Sequence, residues 1–517
     1  MNPAEHRVMK LDKIFGLLLL FFGIGLFGSG CASEHATDDP LGRPNILFIY
    51  TDDQSHRTVS AYDDALSWAK TPHIDRLAEE GIRFEHAFAG PWCAPSRAMT
   101  MTGRLLHGIE GLDFSDYPII REDKERFRMW PKVFRENGYT TGVIGKWHLA
   151  SDYRHGDVWD HSIIWERLGG EKSGDYFRNQ KLRFDGGDFT AVDGHSTDNY
   201  TRYAEDFIKR DHDKPWMLWL CYDAVHAPFT PADRHAGAYD SEAPEPYPAD
   251  LYPPRPTKPR YMQNYQMLHP DEQGRAIDER QLMHLPDLVQ KYHSGVLSLD
   301  EGVRDLMATL KATGQLDNTI IVFTSDQGIA MGHHGMTIKV APYDDNIRIP
   351  FIVRLPEKLS AGSVIDDPVN VIDLIPTFFD YAGIDLPWEM HGDNLRPLLE
   401  DPAVDWDRPL LQENFSKSFG SETDVGITIV DPKKGLPNQN VDWWVFLRYG
   451  DYKYIRTLVQ DEIEELYHIG NDPRELTNLA LEPTYRSVLL ELRARMVEEL
   501  RLKKAGFVEN MPAPREL

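Results

Sequence analysis

Four apolar runs in this chain stop abruptly in polar or charged residues. "RPNILFIYTDDQ" (43–54) ends in Asp52 and Asp53, and "TTGVIGKWHL" (140–149) runs out through Lys146 and His148. "KPWMLWLCYDAVHAP" (214–228) reaches His226, and "DNTIIVFTSDQG" (317–328) ends in Asp326 and Gln327. Short runs that are apolar on both faces predict strands buried in a parallel sheet, with polar groups at their carboxyl ends. Between them the period changes. "TPHIDRLAEEGIRF" predicts a helix with Thr71 as N-cap, Pro72 in the first turn, Ile74, Leu77 and Ala78 on one face, and Gly81 as the stop. Leu288, Tyr292, Val296, Leu299, Val303, Leu306 and Leu310 recur at spacings of three and four, with Gly314 beyond, and predict a long amphipathic helix. Strands alternating with helices predict an α/β fold with an open, mostly parallel central sheet, whose ligands sit at the carboxyl ends of the strands.

Two stretches fit neither period. Residues 151–200 and the Pro-rich "EAPEPYPADLYPPRPTKPR" (242–260) read as long ordered loops that roof the strand ends. After about residue 405 the pattern shifts to short strands, "WWVFLRYGDYKYIRTL" and "EELYHI", then a helix with Leu489, Leu492, Met496 and Leu500 on one face. The expected organisation is an export signal over 1–30, a linker over 31–43, an α/β catalytic domain over 44–404 and an antiparallel α+β subdomain over 405–517.

The N-terminus carries Arg7, Lys10 and Lys13, then the apolar "IFGLLLLFFGIGLF" (14–27) and the small residues of "GSGCAS". That order reads as an export signal, with a run short for a membrane span. Gly30-Cys31 resembles a bacterial lipoprotein processing site, which makes Cys31 a candidate lipid anchor and the protein periplasmic or outer-membrane-anchored; simple secretion is the alternative. Three cysteines in an exported chain exclude a disulfide framework. Cys221 falls in an apolar strand, which leaves Cys93 to be explained. The formal charge of -26 is spread along the chain and argues against nucleic acid as a partner. An anionic substrate would therefore need a local pocket of positive charge and metal.

The oxygen donors Asp52, Asp53, Asp326 and Gln327 at two strand ends could converge on one hard cation. Such donors suit Ca2+ or Mg2+ and not zinc, and Ca2+ is preferred for its tolerance of irregular coordination.

"PWCAPSRAMTMTGR" (91–104) supplies the decisive pattern. Cys93, Pro95, Ser96 and Arg97, followed by Thr102-Gly103-Arg104, resemble the signature of the type I sulfatases of the alkaline phosphatase superfamily. The resemblance runs from about residue 44 to about 480. It includes "GKWHL", "HAP", "FTSDQG", "GHHG" with Lys339 four residues later, "IRIPFIVR" and "ELYHIGNDPRELTNLA". It implies that Cys93 is oxidised to formylglycine by a separate maturation enzyme, and that one hydroxyl of the hydrated aldehyde attacks the sulfur of a sulfate ester. The second hydroxyl then allows sulfate to be expelled. Asp52, Asp53, Asp326, Gln327 and the residue at 93 would hold the cation, and Arg97 would support both. Lys146 and Lys339 would clamp the sulfate oxygens, His148 would act as base, and His226 as the acid for the leaving alkoxide, with Lys339 able to share that role. Gln327 departs from the family's more usual asparagine, which implies a shifted cation geometry.

A phosphonate or phosphodiester hydrolase of the same superfamily is the alternative in chemistry, and a non-catalytic binder of sulfated glycans the alternative in class. The paired lysines favour sulfate. The expected substrate is a sulfated carbohydrate attacked from a mono- or oligosaccharide end, with Trp159, Trp165 and Tyr176 as candidates either to stack on sugar rings or to pack within their loops.

Overall fold

The apolar runs form strands, as their two-faced hydrophobicity requires. The computed structural model describes residues 42–113, 119–120, 126–150, 152–167, 173–355, 359–426 and 438–516, so the segment with the export signal and Cys31 lies outside the described residues. In chain order the main sheet contains β1 (Asn45–Thr51), β2 (Ile82–Phe84), β3 (Thr140–Lys146), β4 (His161–Trp165) and β5 (Arg178–Phe184). It continues with β6 (Phe189–His195), β7 (Trp216–Cys221), β8 (Thr319–Ser325), β9 (Phe351–Arg354) and β10 (Ser363–Ile365). Their spatial order is β10-β2-β9-β8-β1-β7-β3-β4-β5-β6. The five central strands, β8 to β4, run parallel, and β1 sits between β7 and β8 with Tyr50 opposite Cys221 and Thr324. The chain departs to opposite sides of β1, which makes its carboxyl end a natural binding crevice.

Residues 151–200 differ from expectation. They contain β4, which is parallel to β3, and the hairpin β5–β6, which extends the sheet antiparallel at its edge. In "RNQKLRF" only Gln180 and Leu182 are buried, because an edge hairpin covers one face alone and carries few apolar residues. The Pro-rich stretch is irregular, as expected, apart from one turn of helix at Arg260–Gln263.

Helix α1 (Pro72–Glu79) begins at Thr71, but the threonine hydroxyl makes no backbone cap; it donates to Asp75 Oδ1 at 2.9 Å. The helix ends one residue short of Gly81, where a Cβ would meet the Val353 carbonyl at 2.4 Å, so that glycine serves close approach to β9. Helix α2 (Cys93–Thr102) is buried along its whole length. Helix α3 (Ser196–Ile208) and helix α4 (Leu285–Ala312) cover one face of the sheet. All seven apolar residues expected on α4 are at most 1% exposed, and each such burial is worth about 1.5–3 kcal/mol.

The C-terminal strands β11 (Leu410–Asn414), β12 (Trp444–Tyr449), β13 (Tyr452–Thr457) and β14 (Glu464–His468) form an antiparallel sheet. Helix α5 (Arg486–Leu502) buries Leu489, Leu492, Met496 and Leu500 against it. One apolar cluster joins this sheet to the large one, with Phe88 edge-on to Phe446 at 5.5 Å. Among the described residues no helix is long and apolar enough to cross a membrane.

Candidate active site

The opening residues of α2 explain the cysteine's position. Cys93 is the first helical residue, and Pro95 falls in the first turn, where its missing N–H has no intrahelical partner to lose. Ser96 anchors the helix to β1: its hydroxyl accepts from the Gly90 amide at 3.1 Å and bonds the Tyr50 hydroxyl at 3.0 Å. The helix N-terminus thus points at the carboxyl end of β1, where its partial positive charge favours an anion.

Around Cys93 the strand ends converge. Asp52, Asp53, Cys93 and His226 each offer a ligand atom, and these four atoms lie within 4.8 Å of one another. Cys93 Sγ is 3.3 Å from Asp52 Oδ1 and 3.7 Å from Asp53 Oδ1, and Lys339 Nζ donates to it at 3.0 Å. Lys146 pairs with Asp52 and Lys339 with Asp53; the first pair is fully buried and the second nearly so. His226 Nδ1 donates to the Ala227 carbonyl at 2.6 Å, which leaves Nε2 facing Asp53 Oδ2 at 3.6 Å. Burial and Asp52 push the Cys93 thiol up, but Lys146, Lys339 and a hydrogen bond from His226 outweigh them and hold it well below the ordinary thiol value. Lys339 is depressed by burial and raised further by Asp53 and Cys93, so it remains a cation.

Arg97 and Asp326 stand one layer further out. The guanidinium donates to Asp326 Oδ2 through Nε at 3.2 Å and Nη2 at 2.9 Å, and through Nη1 to the Lys146 carbonyl at 2.8 Å. Asp326 Oδ1 accepts the Asp53 amide at 3.0 Å. Gln327 Nε2 donates to Asp53 and approaches Cys93 Sγ at 3.6 Å, while its Oε1 is buried without a partner. His148 is the outlier. It follows β3 in a left-handed conformation (φ 57°), its Nδ1 is buried without a partner, and no hydrogen bond joins it to Cys93 among the described residues. Burial, then Lys146, Arg167 and Arg97, hold its imidazole well below the usual range, so it is neutral.

The donor set fits a hard divalent cation. Asp52 and Asp53 converge beside Cys93 and His226, Asp326 stands directly behind them, and the orphaned amide oxygen of Gln327 adds a further oxygen; a buried polar atom without a partner is rare unless something occupies its place. The charges agree. Asp52, Asp53 and Asp326 balance Lys146, Lys339 and Arg97, so a dication, a singly charged sulfate ester and an ionised nucleophile would together restore neutrality.

A family model for sulfatases matches residues 44–384. The chain belongs to the sulfatase family. It is therefore a sulfuric ester hydrolase, and the family generally uses a metal ion and formylglycine. It is 28% identical over 530 residues to an N-acetylglucosamine-6-O-sulfatase of Bacteroides thetaiotaomicron, covering 92% of this chain and 88% of that one. It is 26% identical to an ulvan-active sulfatase of Formosa agariphila, covering 90% of this chain and 82% of the relative. A solved protein in complex with its substrate, D-glucosamine-2-N,6-O-disulfate, superposes with a TM-score of 0.76 at 27% identity, over 89% of this sulfatase and 98% of that chain. The phosphonate monoester hydrolase of Agrobacterium radiobacter shares the fold at a TM-score of 0.63 and 19% identity, over 89% and 96% of the two chains.

For two aromatic residues of this sulfatase the structure decides between stacking on a sugar and packing within the fold. Trp159 and Trp165 are at most 2% exposed and pack inward, Trp159 stacked on Trp219 at 6.4 Å and Trp165 edge-on to Tyr176 at 4.7 Å, so neither is free to meet a sugar. Sequence reasoning also missed Asp223, buried three residues before His226 and pushed up to about 7 by burial, and Gln180, which donates to it at 2.6 Å. The aspartate stood in "YDAVHAP"; nothing marked the glutamine.

Proposed function

We propose that this sulfatase is formylglycine-dependent and removes a sulfate ester from the end of a sulfated carbohydrate, a 6-sulfated glucosamine unit in particular. The observation that carries the mechanism is the convergence of Cys93, two carboxylates, two lysines and His226 at one strand-end crevice. Cys93, once oxidised and hydrated, would supply the attacking oxygen, and a cation on Asp52, Asp53, Asp326 and Gln327 would supply a Lewis acid, Ca2+ before Mg2+. Lys146 and Lys339 turn from their carboxylates to the sulfate oxygens, where fixed charge in a dry site stabilises the transferring group. His226 gives the proton from Nε2 to the leaving alkoxide, and neutral His148 takes the proton whose loss expels the bound sulfate. The substrate reading rests on the relative that is an N-acetylglucosamine-6-O-sulfatase and on the neighbour bound to a 6-O-sulfated glucosamine. Export, and lipidation at Cys31, rest on the N-terminal pattern.

The test is peptide mass spectrometry across residue 93, on protein made beside a formylglycine-generating enzyme, together with sulfate release from a panel of sulfated sugars. The expected result is a loss of about 18 Da, thiol to aldehyde, with sulfate freed from 6-sulfated glucosamine. Conversion with hydrolysis of phosphonate or phosphodiester probes alone would overturn the substrate reading, and an intact thiol in an active enzyme would overturn the mechanism.

A further inference from the structure

Tyr176 lies outside every motif of the family resemblance, yet it meets the catalytic groups on two sides. Its ring stacks face to face on the His226 imidazole, with centroids 4.8 Å apart and planes 13° from parallel. Its hydroxyl donates to Asp52 Oδ2 at 2.9 Å and accepts from Lys146 Nζ at 3.2 Å. Trp165 backs the ring edge-on, and the Arg167 guanidinium lies over it at 5.2 Å. The backbone is tied down as well. Gln180 Nε2 donates both to the Tyr176 carbonyl and to Asp223 Oδ2. Gln180 Oε1 accepts from the Tyr200 hydroxyl at 2.7 Å, and Asp223 Oδ1 accepts from Ser196 Oγ at 2.7 Å. Gln180, Ser196, Tyr200 and Asp223 are all buried. A loop residue held by that many fixed partners loses little further entropy when it orients a neighbour.

We propose that Tyr176 is a positioning residue that holds the His226 imidazole in line with the leaving-group oxygen. This rests on the reading of His226 as the acid. In the step concerned the sulfur–oxygen bond to the leaving alcohol breaks, its electron pair stays on that oxygen, and the proton on His226 Nε2 moves to it. The imidazole can turn about its Cβ–Cγ bond. The Ala227 carbonyl fixes Nδ1 at one edge, and the Tyr176 ring fixes the plane by covering one face. A group held in this way transfers a proton without first being reoriented, which is where small misplacements become costly.

Leaving-group dependence separates positioning of the acid from general damage. A sugar alcohol leaves poorly and needs the proton; 4-nitrophenolate leaves well and hardly needs it. For Tyr176→Ala, kcat should fall about 100-fold on glucosamine 6-sulfate and less than about 10-fold on 4-nitrophenyl sulfate. Tyr176→Phe keeps the stack and should hold the ratio of the two rates within about 3-fold of the parent. Should the alanine variant not fold, Tyr176→Leu fills the volume without a stack and carries the same expectation. Equal losses on both substrates for the alanine or leucine variant would overturn the proposal. His226→Ala is measured alongside. If it shows the split and the Tyr176 variants do not, positioning alone fails; if it also falls equally on both substrates, the acid assignment fails and takes the proposal with it.

Discussion

Two histidines with buried ring nitrogens, His107 and His148, show how this molecule separates structural from chemical charge. His107 follows α2 and has its amide and both ring nitrogens satisfied: the amide and Nδ1 bond the Glu413 carboxylate at 2.8 and 2.9 Å, and Nε2 donates to the Lys503 carbonyl at 2.9 Å. With donors at both ring nitrogens it is an imidazolium. Burial lowers its pKa, but Glu413 more than compensates and raises it above the ordinary imidazole value. His148, among Lys146, Arg167 and Arg97, is driven the other way and keeps a buried nitrogen without a partner. One histidine joins α2 to the C-terminal sheet; the other holds an unused site for a proton. A buried ring nitrogen is common to both, and the difference lies in whether hydrogen-bonding capacity has been left open.

The largest expected effect would break that contrast most directly. His148→Ala should lower kcat on a sulfated sugar by about 10²–10⁴-fold, the range general acid–base groups contribute, with a smaller change in Tm than His107→Ala. His107→Ala should do the reverse, because it leaves Glu413 buried and unpaired at a cost of about 3–5 kcal/mol while the catalytic groups stay in place. Steady-state rates and thermal unfolding on both variants decide it, and a His148 variant that loses stability but not rate would erase the distinction. The two sites also differ in pH response. A raised folded pKa means that the His107 contribution is complete below the ordinary imidazole value and is lost as pH rises through the folded value. The parent's Tm should therefore fall on going from pH 6 to pH 9 by more than that of His107→Ala.

The contrast was only partly legible in the chain. The central parallel strands announced themselves because both of their faces are buried, and the polar groups at their carboxyl ends marked the crevice. The edge hairpin did not, since β5 and β6 bury few residues and read as loop. Cys93, Arg97, Lys146, Lys339 and the aspartates were nameable from local motifs, because each motif is a short segment whose backbone places its own side chain. Tyr176 lies between β4 and β5 and reaches the site through contacts with residues distant in the chain, His226 and Asp52 among them, which no local pattern encodes. Trp159 and Trp165 stayed open between sugar stacking and packing for the same reason: aromatic content in an apparent loop says nothing about which way the ring faces.

A smaller effect sharpens the comparison from the metal side. Chelation should lower Tm and abolish turnover, and readdition of Ca2+ or Mg2+ at a hundredfold excess over its Kd should restore about 2.7 kcal/mol. The cation would engage carboxylates and the Gln327 amide at the strand ends, so the pH slope assigned to His107 should persist in stripped protein. Loss of that slope on chelation would show that the two charge clusters are coupled through α2.

The smallest expected effect divides α2 itself. Its first two turns carry Cys93 and Arg97, and its last residue is followed by Gly103 in the left-handed region at φ 68°, donating its amide to the Met99 carbonyl. A Cβ at Gly103 would meet Met390 Sδ at 2.7 Å, but that atom ends a flexible side chain and can yield. The left-handed conformation is the harder constraint, costing a residue with a Cβ about 1–2 kcal/mol. Arg104 then clamps the turn through the Glu389 and Gly108 carbonyls at 2.9 and 3.0 Å. The Thr-Gly-Arg end of the motif is therefore architectural, at the opposite end of a ten-residue helix from the reacting group. Gly103→Ala should lower Tm with kcat nearly unchanged, the pattern expected of His107 and the reverse of that expected of His148. A fall in kcat without a fall in Tm would place the glycine with the chemistry instead, and the motif would then act as a single unit from Cys93 to Arg104.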